Sequence, residues 1–372
     1  MDAFTIVTFV AGIALLMLGA ELLVRGAAGV AVRVGLSSVV IGLTVVSMGT
    51  SAPELAVSVR DALDGAGDLA VGNVVGSNIA NILLILGVSA AVGAGLVVAE
   101  RIVRIDVPLM VGVSLLVLVL ALDGRISRFE GALLVVLLVV YVTWTVRSAR
   151  REGPDIVAEH EEAIDVEALR RSSYWVDGLL ILAGLAGLVV GAQWLVSSAT
   201  TVATEFGASE LVIGLTVVAL GTSMPELATS VVAVLRGQRD IAVGNAVGSN
   251  LFNLLGVLGV TAAVASGGIR VLEQAQEFDL PVMTAVAVAC LPVFFNGYEL
   301  KRWEGFLFVG YYVAYTTYLL LDATDATFLD PFRVGMVFFV LPLTTVTLVI
   351  VGYRSWKAHR RGEAGPAAAA SD

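Results

Sequence analysis

Two short blocks, GTSAPE over residues 49–54 and GTSMPE over 221–226, hold the acids that lie deepest in the apolar stretches of this chain. A charged group at the centre of a bilayer costs about 2.5–3.5 kcal/mol on insertion scales, so Glu54 and Glu226 need a partner or a task. Neither has a basic residue at matching depth, because Arg60 and Arg236 follow more than a helical turn later, towards the loops. Two such carboxylates facing one another repel, and a bound cation relieves them. Pro53 and Pro225 each remove an amide donor and crowd the carbonyl four residues back, that of Gly49 or Gly221. Each helix is therefore expected to open and turn carbonyl oxygens inward, which is tolerated at that depth only where the backbone is buried or lines a cavity. Thr50, Ser51, Thr222 and Ser223 add hydroxyl oxygens.

The segments that follow extend the same donor set. In GSNIAN (76–81) and GSNLFN (248–253), Ser77 and Asn81, and again Ser249 and Asn253, are four residues apart and share a helix face. Gly72, Gly76, Gly244 and Gly248 form small-residue stripes expected to bring helices close. Carboxylate, amide, hydroxyl and carbonyl oxygens without thiolate or imidazole suit a hard cation, and about six to eight flexible oxygens suit Ca²⁺ better than Mg²⁺. Two carboxylates balance one Ca²⁺, or hold Na⁺ ions or protons instead. A site that must be filled by one or the other before reorienting belongs to an exchanger.

The elements that position these groups are membrane helices. The chain has 372 residues, 58% hydrophobic and 15% charged, against about 25% charged in soluble domains. A net charge of −10 without a basic patch excludes nucleic-acid binding. The single Cys290 excludes a disulfide scaffold, and two histidines, His160 and His359, argue against an imidazole metal site. An intramembrane enzyme is disfavoured, since no nucleophile–base pair or HExxH motif occurs. A channel would share the architecture but conduct without a counter-ion.

A spanning helix needs about 20 mostly apolar residues. Eleven such segments lie near 3–24, 37–60, 69–92, 103–122, 129–146, 176–198, 209–235, 241–265, 279–296, 303–321 and 332–353. With the N-terminus outside, 17 Lys and Arg residues fall on the cytoplasmic side and 5 outside, which predicts an N-out, C-in multi-pass protein of the cell membrane.

A shift of 172 residues aligns 40–92 with 212–264 at 35 of 53 identical positions, including Gly, Thr, Ser, Pro, Glu and Asn. The duplicated unit has five helices. Five is odd, so corresponding helices must cross the membrane in opposite directions, the inverted repeat of secondary transporters. The expected organisation is a first repeat over 1–146 and a cytoplasmic linker over 147–174. An inverted second repeat over 175–321, an extra span within 322–353 and a disordered cytoplasmic tail over 354–372 follow. The fold class is an all-α polytopic membrane protein.

The paired GTS-x-PE and GSN-xx-N blocks resemble the α-repeats of the sodium/calcium exchanger (cation/calcium antiporter) superfamily, most of all its compact archaeal members. The resemblance covers about 320 residues, both halves in order. It implies that Glu54 and Glu226 bind Ca²⁺ and share the Na⁺ sites. It also implies that Thr50, Ser51, Thr222, Ser223, Ser77, Asn81, Ser249 and Asn253 are ligands, and that carbonyls of Ser47 and Ala219 join outer Na⁺ sites. The implied activity is Na⁺/Ca²⁺ antiport by alternating access, with the first and sixth helices sliding against the bundle. No cofactor is implied beyond the transported ions. Many sodium-coupled and potassium-dependent members carry aspartate where this sequence has Asn253, so H⁺/Ca²⁺ antiport at the same site is the alternative.

Overall fold

The computed structural model describes residues 3–149 except 66, together with 173–324, 326–346 and 349. The tail over 354–372 and nearly all of the 147–174 linker lie outside the described residues.

Among the described residues, nine helices are long and apolar enough to cross a membrane, and two bent helix pairs bring the spans to eleven. In chain order they are span 1 (Phe4–Val34), span 2 (Ser38–Thr50 then Ala52–Leu63), span 3 (Leu69–Val92), span 4 (Ile102–Asp123) and span 5 (Arg128–Ala149). Span 6 (Tyr174–Glu205) follows, then span 7 (Thr216–Thr222 then Met224–Leu235), preceded by a helical turn over Glu210–Ile213. Span 8 (Arg239–Val264), span 9 (Ala275–Phe295), span 10 (Arg302–Ala323) and span 11 (Leu329–Val346) complete the set. Span 1 ends at Gly35 and span 6 at Gly207, with left-handed φ of +68° and +81°, a conformation glycine adopts without steric cost.

Spans 1 and 6 run for 31 and 32 residues, well past their apolar stretches. Paired charges make the extension tolerable. Arg33 at the end of span 1 reaches Asp177 at the start of span 6 at 2.8 Å, with its guanidinium 5.3 Å from the Tyr174 ring centre. Between these ends the two helices touch backbone to backbone. A Cβ built on Gly19 would stand 2.7 Å from the Gly184 carbonyl oxygen and 2.7 Å from the Leu188 amide nitrogen, and one on Gly12 would stand 3.0 Å from the Gly191 carbonyl oxygen. Thr8 and Ser198 share a 2.8 Å hydrogen bond at the far end. This is glycine-mediated packing, which supplies close contact where lipid offers no hydrophobic drive.

Spans 3 and 8 form the buried centre. Span 5 packs on span 8, span 10 on span 3, and spans 4 and 9 pack on each other, so the halves interlock. Four two-residue strands tie the loops: β1 (Leu96–Val97) pairs antiparallel with β4 (Glu299–Leu300), and β2 (Arg125–Ile126) with β3 (Ile269–Arg270). Span 11 stands at the edge against span 10, through Arg333–Asp322 at 2.8 Å and a Tyr311–Thr344 hydrogen bond.

From the sequence, Asp106 and Asp279 read as solvated acids at span ends. Asp106 is instead fully buried. It accepts from the Tyr141 hydroxyl at 3.1 Å and pairs with Arg101 at 3.5 Å. Asp279 accepts from Tyr315 at 2.9 Å. Each half thus pins its fourth helix to its fifth through an Asp–Tyr bond.

Candidate functional site

The site is built at two broken helices. Span 2 bends by 42° between Thr50 and Ala52, and span 7 by 57° between Thr222 and Met224. The break residues Ser51 (φ −81°, ψ 1°) and Ser223 (φ −88°, ψ 5°) leave the helical region, and Pro53 and Pro225 enter the next helix at its first turn. Proline is tolerated there because the missing N–H would be unpaired in any case. Each first half also contains a π-helical turn, Gly42–Val46 or Gly214–Val218. Such turns interrupt the regular ladder and recur at functional sites.

The break has an electrostatic consequence. Glu54 and Glu226 are third residues of the second half-helices, where the positive end of the helix dipole favours a carboxylate. Ser47–Thr50 and Ala219–Thr222 close the first half-helices, whose free carbonyl ends favour a cation. The Ser47 carbonyl receives the Ser51 amide at 3.0 Å and the Thr50 hydroxyl at 3.4 Å. That of Ala219 receives the Thr222 hydroxyl at 3.3 Å.

Spans 3 and 8 bring the remaining residues to the same place. Glu54, Glu226, Asn81, Ser249 and Asn253 have no exposed surface, and Thr50, Ser51, Ser77 and Ser223 are buried. The two carboxylates lie within electrostatic reach of each other, and Thr50 and Ser51 face Glu226. Thr50 donates to Asn245 at 3.1 Å, and Thr222 to Asn73 at 3.5 Å. The Ser77 and Ser223 hydroxyls are 3.2 Å apart, and the Asn253 amide donates to Ser77 at 3.1 Å. Ser249 donates to Asn245 at 3.5 Å.

Seven buried oxygens of this cluster have no hydrogen-bond partner: both of Glu54, both of Glu226, the side-chain oxygens of Asn81 and Asn253, and the Ser51 hydroxyl. Each unsatisfied buried polar group costs about 1–3 kcal/mol, and more if charged. All seven are acceptors or can act as acceptors, so what would satisfy them together is positive charge. A hard cation fits that donor chemistry.

Sequence reasoning passed over four asparagines here. Asn73 and Asn245 donate to Ser58 and Ser230, each at 3.1 Å, while receiving the threonines of the opposite half. Their signal was legible: Asn73, Ser77 and Asn81 are spaced by four, as are Asn245, Ser249 and Asn253. Asn78 and Asn250 lie on the neighbouring face and donate to Met283 and Met110.

The two halves are not packed alike. A Cβ on Gly244 would stand 2.9 Å from the Val39 carbonyl oxygen, and one on Gly248 2.8 Å from Leu43 Cα, so span 8 seats tightly on the first half of span 2. The matching stripe on span 3 is a correction to the sequence expectation. A Cβ on Gly72 or Gly76 would meet nothing within 4 Å. Gly42–Val46 is buried almost throughout, while Gly214 and Val218 are exposed and Thr216 and Val217 half-buried. On the packed side, Glu21 of span 1 holds Arg236 at 2.7 Å and also binds Arg25. Asn73 and Thr222 are accordingly half-buried, whereas their counterparts Asn245 and Thr50 are buried.

Comparison with known proteins agrees with this architecture. The family model described as sodium/calcium exchanger protein matches residues 4–147 and again 177–321. The putative antiporter CaxA of Alkalimonas amylolytica is 38% identical over 317 residues, covering 84% of this chain and 97% of that relative. The sodium/calcium exchanger MaX1 of Methanosarcina acetivorans is 31% identical, covering 83% and 96%. A solved structure of the sodium-calcium exchanger NCX_Mj superposes with a TM-score of 0.71 at 29% identity, covering 84% of this chain and 97% of its own. The chain is therefore a multi-pass membrane transporter, not an enzyme, and it belongs to the sodium/calcium exchanger family.

Proposed function

We propose that this chain exchanges Na⁺ for Ca²⁺ across the cell membrane by alternating access, with Ca²⁺ held in mid-membrane between Glu54 and Glu226. The observation that carries the reading is the cluster of seven partnerless buried oxygens, four of them carboxylate, at the junction of two broken helices. Thr50, Ser51, Thr222, Ser223, Ser77, Asn81, Ser249 and Asn253 complete the ligand set, and the Ser47 and Ala219 carbonyls serve Na⁺. Names of relatives support the ions: MaX1 and NCX_Mj are called sodium/calcium exchangers.

The halves are inverted repeats in an N-out, C-in protein. Strand pairing supports this. The loop after span 3 pairs with the loop after span 9, and the loop after span 4 with that after span 8. The loops at the two ends of span 4 are therefore each beside the non-corresponding loop of span 9, the pairing expected of halves whose corresponding ends lie on opposite faces. With that orientation Gly72, Asn73 and Thr222, the less buried edge of the site, lie toward the outside. Gly72→Cys should react with a membrane-impermeant thiol reagent added outside, and Thr44→Cys should not. The native Cys290 is buried and contributes no background.

The test of coupling is Ca²⁺ flux into vesicles under an imposed Na⁺ gradient at fixed pH. Flux that follows the Na⁺ gradient supports the proposal, and flux that ignores Na⁺ but follows ΔpH moves it to H⁺/Ca²⁺ antiport. One observation favours that second reading: residue 253 is an amide that donates to Ser77, leaving two formal charges in the site. Asn253→Asp is accordingly expected to change the Na⁺ or pH dependence of transport more than its Ca²⁺ affinity, read from flux at varied Na⁺ and pH.

A further inference from the structure

An asparagine acts as a cation ligand only when its oxygen, not its nitrogen, faces the ion. Reversing the amide would point two N–H donors at the charge. Something must therefore hold each Asn in the site the right way round.

In span 3 the holder is a chain of buried side chains that ends on a sulfur. Asn81 donates its amide to the Asn250 side-chain oxygen at 3.2 Å. Asn250 in turn donates its own amide to the Met110 sulfur at 3.3 Å. A thioether carries no proton and can only accept. Met110 thus dictates which end of Asn250 faces it, Asn250 then offers only an acceptor to Asn81, and Asn81 must answer with its nitrogen. Its oxygen is left among the partnerless acceptors of the cluster. Asn81 is fully buried, and Met110 and Asn250 are each 1% exposed, so water does not compete for these groups. The other half lacks this relay. Asn78 donates to Met283 at 3.7 Å but reaches the Asn250 backbone carbonyl rather than Asn253. Asn253 is oriented by Ser77, a hydroxyl able to donate as well as accept.

We propose that Met110 and Asn250 are positioning residues that lock the Asn81 amide with its oxygen toward the Glu54–Glu226 site. The inference rests on Asn81 being a ligand, as in the proposed function.

The experiment measures Ca²⁺ dissociation constants on the purified full-length protein, with thermal stability recorded for every variant. Met110→Leu keeps the volume and removes the acceptor, and Asn250→Leu removes the middle of the relay. Each should weaken Ca²⁺ binding by about tenfold or more, the loss typical of groups that orient metal ligands. A carboxylate has two equivalent oxygens and needs no orienting, so in an Asn81→Asp background the same two substitutions should change Ca²⁺ binding by less than about twofold. Equal losses in both backgrounds, or no loss in the native background, overturn the relay. Asn81→Ala separates the two failures. If it binds Ca²⁺ normally, Asn81 is no ligand and the inference falls with it. If it loses affinity while Met110→Leu does not, the relay alone is wrong.

Discussion

Glu54→Gln and Glu226→Gln are each expected to abolish Ca²⁺ transport while leaving the fold intact. Glutamine keeps the volume of glutamate, so the packing around these fully buried side chains is preserved. What disappears is half of the charge that balances a divalent ion. Breaking a buried charge pair by removing one partner costs about 3–5 kcal/mol, on the order of 100-fold or more in Ca²⁺ affinity. Stability should move in the opposite sense. Without ions, two acidic side chains are buried away from water with no cation to balance them, so neutralising one should hold or raise the melting temperature of the ion-free protein. Saturating Ca²⁺ stabilises a protein it binds, by about 2.7 kcal/mol at 100 times the dissociation constant. In both variants that increment should vanish. Thermal melts with and without Ca²⁺ read the two effects separately. A variant that keeps normal transport and a normal Ca²⁺-induced shift would show that its glutamate is not in the ion site.

Gly19→Leu is expected to do comparable damage by a different route. Even a methyl at Gly19 would sit 2.7 Å from backbone atoms of Gly184 and Leu188, which have no side-chain torsion by which to yield. The helices themselves must separate. Overpacking of this kind typically costs about 1–3 kcal/mol, and the separation also disturbs the Arg33–Asp177 and Thr8–Ser198 ties at the two ends of the pair. The family resemblance implies that spans 1 and 6 slide against the bundle during exchange, so the substitution should reduce exchange as well as stability, with Gly19→Ala intermediate. Gly178 on span 6 is the control: a Cβ there meets nothing within 4 Å, and Gly178→Ala in a helix interior should be neutral or stabilising by up to about 1 kcal/mol. Equal behaviour of the Gly19 and Gly178 variants in melts and flux would remove the close packing from the account.

Much of this was legible before any coordinates. The matching GTS-x-PE blocks around Pro53 and Pro225 announce two broken helices, and the bends fall where proline forbids the helix to continue. The twelve residues singled out lie on spans 2, 3, 7 and 8 or at their breaks, nine of them beside or within the buried cluster and Ser47 buried just before it, while Thr222 is half-buried and Ala219 exposed. What escaped the sequence is of two kinds. Asn250 and Met110 are far apart in the chain and read separately as a motif residue and an apolar core residue, so their relay exists only once spans 4 and 8 are packed. Asp106 looked solvated because its partners Arg101 and Tyr141 come from other turns and another helix. The second kind is deeper. The pentapeptide GLTVV occurs at both 42–46 and 214–218, yet the first copy is buried almost throughout against span 8, while in the second Gly214 and Val218 are exposed and Thr216 and Val217 half-buried. Identical residues cannot specify opposite packing locally. Which copy is packed is a collective property of the helix arrangement.

The anomalous difference map of a crystal loaded with Ca²⁺ tests the central proposal most directly. A single mid-membrane peak lying about 2.3–2.6 Å, the usual Ca²⁺–oxygen distance, from carboxylate oxygens of both Glu54 and Glu226 is the expected result. A Ca²⁺ peak that touches only one of these glutamates, or neither, would contradict it.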